Sequence, residues 1–242
     1  MVLTKTDRVN SYITDPLANL SVIGTFQIAE DAVTELMGNL KIDGLTVRKE
    51  YNAVWVFVKS KLKKYIDLAW WEQYTINAFI SKITLVSINI DVEIRNISNE
   101  ICSYFRVELC ALDLESKRIR KVSTVGVEST FLSNSSQKDI PFNKFDVEGL
   151  SIVGQEKVKY TNIDFVGHTN NKEYVRFVLD TYFVEELNNC PIEEFDIAYV
   201  NQSYEDDVLS IYKKSDIDGD IIAIKKDETL IAKCKVIRSR HA

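Results

Sequence analysis

Helical periodicity occurs twice in this chain, and each time it gives way to a succession of short β-forming runs. From about Leu20 to Leu40, Val22, Phe26, Ala29, Val33, Leu36 and Met37 recur at helical spacing. From about Asn170 to Leu187, Tyr174, Val175, Val178, Leu179 and Tyr182 do the same. In the first half the β-formers cover Ala53–Lys59, Glu72–Ile80, Thr84–Arg95, Ile101–Leu112 and Lys121–Phe131. In the second they cover Phe195–Val200, Val208–Lys214, Asp218–Lys225 and Thr229–Arg238, with a leading strand at Ser151–Tyr160. The approaches to the helices also correspond. Tyr12-Ile-Thr-Asp15 lies against Tyr160-Thr-Asn-Ile-Asp164 with one residue's slip, which sets Asp15 against Asp164 and Asn19 against His168. The pattern predicts an α+β tandem duplication, two long helices each wrapped by a curved antiparallel sheet. Ser133–Lys144, where Ser-Asn-Ser-Ser-Gln and Pro141 interrupt the strand pattern, separates a first domain over 1–135 from a second over 145–242.

Composition narrows the function. At 242 residues and 45% hydrophobic content the chain can bury a full core, and a net charge of −6 gives no support to nucleic-acid binding. No window approaches the roughly 18 apolar residues of a membrane helix, and the first residues lack an apolar signal core, so the expected location is cytoplasmic without membrane insertion. Cys102, Cys110, Cys190 and Cys234 show no CxxC or Cys/His ligand spacing and read as reduced thiols. Walker, GxGxxG and HExxH motifs are absent, and neither a metal nor an organic cofactor is implied. Trp55, Trp70 and Trp71 read as core residues ahead of cavity-lining ones.

The candidate chemistry lies in Asp164-Phe-Val-Gly-His168-Thr-Asn-Asn171-Lys-Glu-Tyr174. His168 is one of two histidines, the other being His241, and histidine titrates near neutrality. It stands where a loop becomes a helix, where backbone N–H groups and the positive end of the helix dipole favour a developing oxyanion. The competing reading is that His168, Asn170 and Asn171 only cap the helix. The first half carries an amide, Asn19, at the equivalent place, so one half would be chemical and the other scaffold or cavity.

These residues resemble those of the acyl-acyl carrier protein thioesterase family, the double hotdog enzymes of plants and bacteria. Asp164, His168-Thr-Asn170-Asn171 and Tyr174 match the family's Asp-x-Asn-x-His-x-Asn-Asn-x-x-Tyr signature. Phe26-Gln27, Ala32 and Ala53-Val54-Trp55-Val56 match its first helix and following strand. Trp71-Glu72 and Ile197-Ala-Tyr199 with Asp206 match later stretches. The resemblance implies a tandem hotdog fold and hydrolysis of the thioester between a fatty acyl chain and acyl carrier protein. Asp164 and His168 would then be central, Gln202 would position water, and Val166, Asn170, Asn171 and Ser203 would line the substrate site.

The chain departs from the pattern at three places. The asparagine expected two residues after Asp164 is Val166, which has no side-chain donor. The expected glutamate falls at Gln202, or at Asn201 in the alternative register, and a primary amide is no general base. The cysteine beside it in plant members is Ser203. Two other readings follow: an acyl-binding protein that has lost catalysis, and an acyl-thioester hydratase or dehydratase. The acidic carrier protein calls for a basic landing patch. Lys59-Ser-Lys61-Leu-Lys63-Lys64 and Lys117-Arg118-Ile-Arg120-Lys121 are candidates, as are plain solvated strand ends. Further dimerisation is left open.

Overall fold

The computed structural model describes residues 1–133 and 138–239. Residues 134–137 of the serine-rich break, and His241, lie outside the described residues. The chain divides into two compact units, Met1–Ile140 and Pro141–Ala242.

The first unit runs β1 (Val2–Arg8), a 3-10 turn (Ser11–Ile13), α1 (Val22–Asn39), α2 (Gly44–Tyr51), β2 (Ala53–Lys64), β3 (Gln73–Ile83), β4 (Ser87–Arg95) and β5 (Ile101–Asp113). Its strands form an antiparallel sheet in the order β1-β3-β4-β5-β2. The second unit runs β6 (Ser151–Lys157), a 3-10 turn (Tyr160–Asn162), α3 (Asn171–Leu179), α4 (Val184–Asn189), β7 (Ile192–Tyr199), β8 (Val208–Asp216), β9 (Gly219–Lys226) and β10 (Thr229–Arg238). Its sheet is antiparallel in the order β6-β8-β9-β10-β7. The two orders are the same once each unit's strands are numbered from its own start. The sequence duplication is therefore a duplication of topology.

In the first unit the apolar stripe of α1 packs on β3, β4 and β5, with Phe26 set edge-on against Phe105 at 5.1 Å between ring centroids. Ser21 caps the helix by accepting from the Gly24 amide at 2.9 Å. Gly24 has no room for a side chain, because a Cβ there would stand 2.4 Å from the Ile13 carbonyl oxygen. β4 is buried along nearly its whole length, as a central strand covered on both faces must be. In the second unit Tyr174 of α3 packs against Tyr199 of β7 at 6.2 Å.

Four expectations are corrected. The second helix is not long. It ends at Leu179, and α4 follows after a break at Asp180-Thr-Tyr-Phe, four weak helix formers in a row. The chain tightens there through Thr181 N to Val178 O (3.1 Å) and Tyr182 N to Leu179 O (3.0 Å). Nor is either sheet closed around its helix, since the end strands β1 and β2, and β6 and β7, do not pair with one another. The run Lys121–Phe131 is not a strand but two 3-10 turns, Val122–Val125 and Ser129–Phe131. Its buried Val122 and Val125 are three residues apart, and Gly126 at φ 85° ends the first turn. Finally, Trp70 and Trp71 are not core residues, being 58% and 62% exposed, whereas Trp55 is half-buried and donates to the Ile42 carbonyl at 2.7 Å.

Candidate active site

The turn before α3 is built by Asp164. Its Oδ1 accepts from the backbone amides of Val166 (2.8 Å), Gly167 (3.1 Å) and His168 (3.3 Å). Its own amide donates to the His168 carbonyl at 2.9 Å, and Gly167 takes the left-handed φ of 91° that closes the loop. The first unit repeats the device. Asp15 Oδ1 accepts from Leu17 (3.0 Å) and Asn19 (2.9 Å), the Asp15 amide donates to the Asn19 carbonyl at 2.7 Å, and Ala18 takes φ 61°. The two turns align without a slip, Ser11 on Tyr160, Asp15 on Asp164, Ala18 on Gly167, Asn19 on His168 and Ser21 on Asn170. The expected pairing of Tyr12 with Tyr160 is thereby corrected, since Tyr12 falls on Thr161.

The β7–β8 loop forms the other wall. Ser203 is fully buried, and its Oγ lies 2.7 Å from Thr169 Oγ1 and 2.8 Å from the Tyr174 hydroxyl. The Thr169 amide also donates to the Ser203 carbonyl at 2.9 Å. Ser203 thus ties the loop to the start of α3. Replacing Ser203 with alanine leaves buried hydroxyls short of a partner. Denaturant unfolding of this variant should show a loss of about 1–3 kcal/mol, and a loss within error of zero would mean the hydroxyls re-pair among themselves.

Gln202 and Tyr204, on either side of Ser203, point outward and line an open hollow of about 390 Å³ with Asn201, Lys226, Asp227, Thr229 and Ile231. The His168 ring meets the Tyr204 ring edge-on at 5.1 Å, with 67° between planes, and the Tyr204 hydroxyl makes a long contact of 3.5 Å to Gln202 Oε1. The structure therefore gathers His168, Tyr204 and Gln202, with Asp164 behind them holding the turn. Asn170 caps α3 by accepting from the Lys172 amide at 3.1 Å, Asn171 begins that helix, and Val166 sits at the tip of the turn, 38% exposed.

Sequence reasoning missed two residues. Tyr204 could have been noticed as an aromatic in an otherwise polar loop. Glu173 is 1% exposed, and its Oε2 accepts from Asn162 Nδ2 at 2.8 Å and from Arg176. It occupies the position held in the first unit by Gly24, where no side chain fits. No group of three or more His, Cys, Asp or Glu side chains able to hold a metal occurs among the described residues. No described helix is long and apolar enough to cross a membrane. The four cysteines are free, Cys102 and Cys234 buried and the other two half-buried.

The two basic runs differ. None of Lys59, Lys61, Lys63 and Lys64 is fully exposed: Lys61 is buried, and Lys64 is paired with Asp67 at 3.0 Å. Lys117, Arg118 and Lys121 are exposed.

Residues 149–240 match the family model of the acyl-ACP thioesterase C-terminal domain. That match spans most of the second unit. Among solved structures, an acyl-ACP thioesterase from Bacteroides thetaiotaomicron superposes with a TM-score of 0.88 at 17% identity, covering 98% of each chain. The 12:0-ACP thioesterase from Umbellularia californica does so with a TM-score of 0.82 at 14% identity, covering 98% of this chain and 97% of its own. At such identities these likenesses establish that the chain shares the thioesterase fold through both units. A search among curated protein sequences gave no match.

Proposed function

We propose that the protein is a tandem hotdog thioesterase that hydrolyses fatty acyl thioesters of acyl carrier protein. The observation that carries this reading is that the unit matching the thioesterase C-terminal domain is the one in which the shared turn presents His168, while the first unit's turn presents Asn19. A half-buried imidazole at the start of α3 can take a proton from water attacking the thioester carbonyl and return it to the departing thiolate. Asn170 and Asn171 lie at the positive end of the helix, beside the developing charge. The exposed Lys117, Arg118 and Lys121 form the docking patch for the acidic carrier protein. Reversing their charges should raise KM for acyl carrier protein thioesters and leave hydrolysis of small thioesters unchanged. An equal effect on both substrates would remove docking from their role.

A second reading, acyl binding without turnover, is favoured by Val166 and Gln202, which replace the family's donor and base. Thiol release from a panel of short to long acyl carrier protein thioesters separates the two. Turnover confined to one chain-length class establishes the hydrolase. Tight acyl binding with no thiol release from folded protein establishes the binder.

A further inference from the structure

We infer that Gln202 is the hydrogen-bond donor to the thioester carbonyl in this site, and that Tyr204 is the positioning residue that orients its amide and braces His168. The inference rests on the hydrolytic reading above and adds to it a division of labour among three residues. A primary amide offers two N–H donors and a carbonyl acceptor and takes up no proton near neutrality, so Gln202 cannot replace a carboxylate as base. It can replace a donor, and a donor is what Val166 lacks. The Tyr204 hydroxyl lies 3.5 Å from Gln202 Oε1, and both side chains line the hollow, into which an amide at 202 can donate. Ser203, locked between Thr169 and Tyr174, holds the backbone between them. Lys226, on the same hollow, is bound to Asp207 at 2.7 Å and is a poor competitor for the carbonyl.

The chain contains its own comparison. The first unit reproduces the main hydrogen bonds that frame this site. Leu20 N to Leu68 O (2.7 Å) repeats Thr169 N to Ser203 O (2.9 Å), and Ala69 N to Glu72 Oε2 (3.0 Å) repeats Tyr204 N to Asp207 Oδ2 (2.9 Å). Trp71 and Asp206 share the same left-handed backbone, at φ 68° and 69°. Among the positions that differ on that common frame, His168 is Asn19, Gln202 is Asp67, and Tyr204 is Ala69. Asp67 is held by Lys64, so the first unit has an amide, Asn19, where the second has the imidazole, and a paired carboxylate where the second has Gln202. The three residues act as one set, present in one unit only.

In the step this implies, water attacks the thioester carbon while His168 removes its proton. The carbonyl electron pair moves to oxygen and is met by the Gln202 N–H. When the carbonyl re-forms, the C–S bond breaks and the thiolate takes the proton back from His168, giving acid and thiol.

Replacing Gln202 by Glu separates this assignment from its rival. At pH 8 the carboxylate would face the oxyanion, and kcat should fall at least tenfold. Measured against the parent at the same pH, so that the titration of the base cancels, the deficit should narrow as pH drops toward the ordinary glutamate pKa of about 4.3, where the protonated carboxyl can donate. Gln202→Ala should lower kcat about 10²-fold at every pH, the usual effect of losing one oxyanion donor. Tyr204→Phe should lower kcat several-fold with KM unchanged, and Tyr204→Ala more, because only the phenylalanine keeps the ring against His168. Gln202→Glu with turnover equal to or above that of the parent at pH 8 would place residue 202 in a base or water-holding role and overturn the assignment, while leaving the hydrolytic reading intact. A parent protein that releases no thiol, alone or beside an active Gln202→Glu variant, overturns both.

Discussion

His168→Ala should reduce thiol release by roughly 10²–10⁴-fold, the range over which a positioned acid–base group contributes. The backbone of the turn should survive the change, because its geometry is set by the Asp164 carboxylate and by Gly167 rather than by the imidazole. Thermal unfolding should therefore be nearly unchanged while turnover collapses. Asn19→Ala is the matched control. It alters the same position of the same turn in the first unit and should leave turnover at the parental rate. Asp164→Asn asks a different question of the neighbour. An amide oxygen can still accept the three backbone N–H groups, so the turn should form. If turnover also survives, Asp164 is a turn former like Asp15. If turnover collapses in a protein of normal stability, the carboxylate takes part in the chemistry. Parental turnover in His168→Ala would remove the imidazole from the mechanism altogether.

The largest loss of stability is expected in the first unit, at Asp91→Ala. Asp91 lies fully buried in β4. One oxygen accepts from the Tyr104 hydroxyl at 2.6 Å, and the two together accept from Arg106 Nε and Nη2, each at 2.7 Å. The pair is bidentate and shielded from water, and the Arg106 guanidinium is held even further above its ordinary pKa by Asp91. The same guanidinium reaches Asp139 Oδ1 at 3.2 Å and the Ile140 carbonyl at 3.3 Å, so the cluster also anchors the chain where the first unit ends. Removing the carboxylate leaves a nearly buried cation without its counter-charge and a buried phenol without its acceptor. Breaking one side of such a pair destabilises by about 3–5 kcal/mol. Denaturant titration should show that loss, with Tyr104→Phe, which spares the ion pair, losing about 1 kcal/mol. A loss below that of Tyr104→Phe would show that water reaches Arg106 and solvates it.

The duplication was legible because it rests on periodicity and on a repeated turn, both local properties. Asp15 and Asp164 each precede a residue of positive φ by three positions, and that spacing survives in the sequence even though Ala18 and Gly167 differ. Helix length in the second unit was not legible. Val178, Leu179 and Tyr182 continue a helical stripe on paper, while Tyr182 in fact leaves the helix and its hydroxyl bonds to Asp220 at 2.8 Å on β9. That tertiary contact outweighs the apolar pattern. Lys121–Phe131 failed for a related reason, since valine content suggested a strand where Gly126 enforces turns. At the site, His168 stood out by its chemistry and Gln202 only through the family resemblance, while Tyr204 required the loop's path, and the burial of Ser203 required knowing that Thr169 and Tyr174 would converge on it.

The paired turns have a consequence for how such a protein changes over time. A carboxylate and one left-handed residue fix the path of the chain, so the side chain at the fifth position is under no conformational obligation. Asparagine occupies it in one copy and histidine in the other with the surrounding hydrogen bonds preserved. On the hydrolytic reading, reactivity can thus be erased at that position by a single codon, with the fold as a bystander, and a duplicated gene segment can keep one copy chemically silent without losing its architectural use.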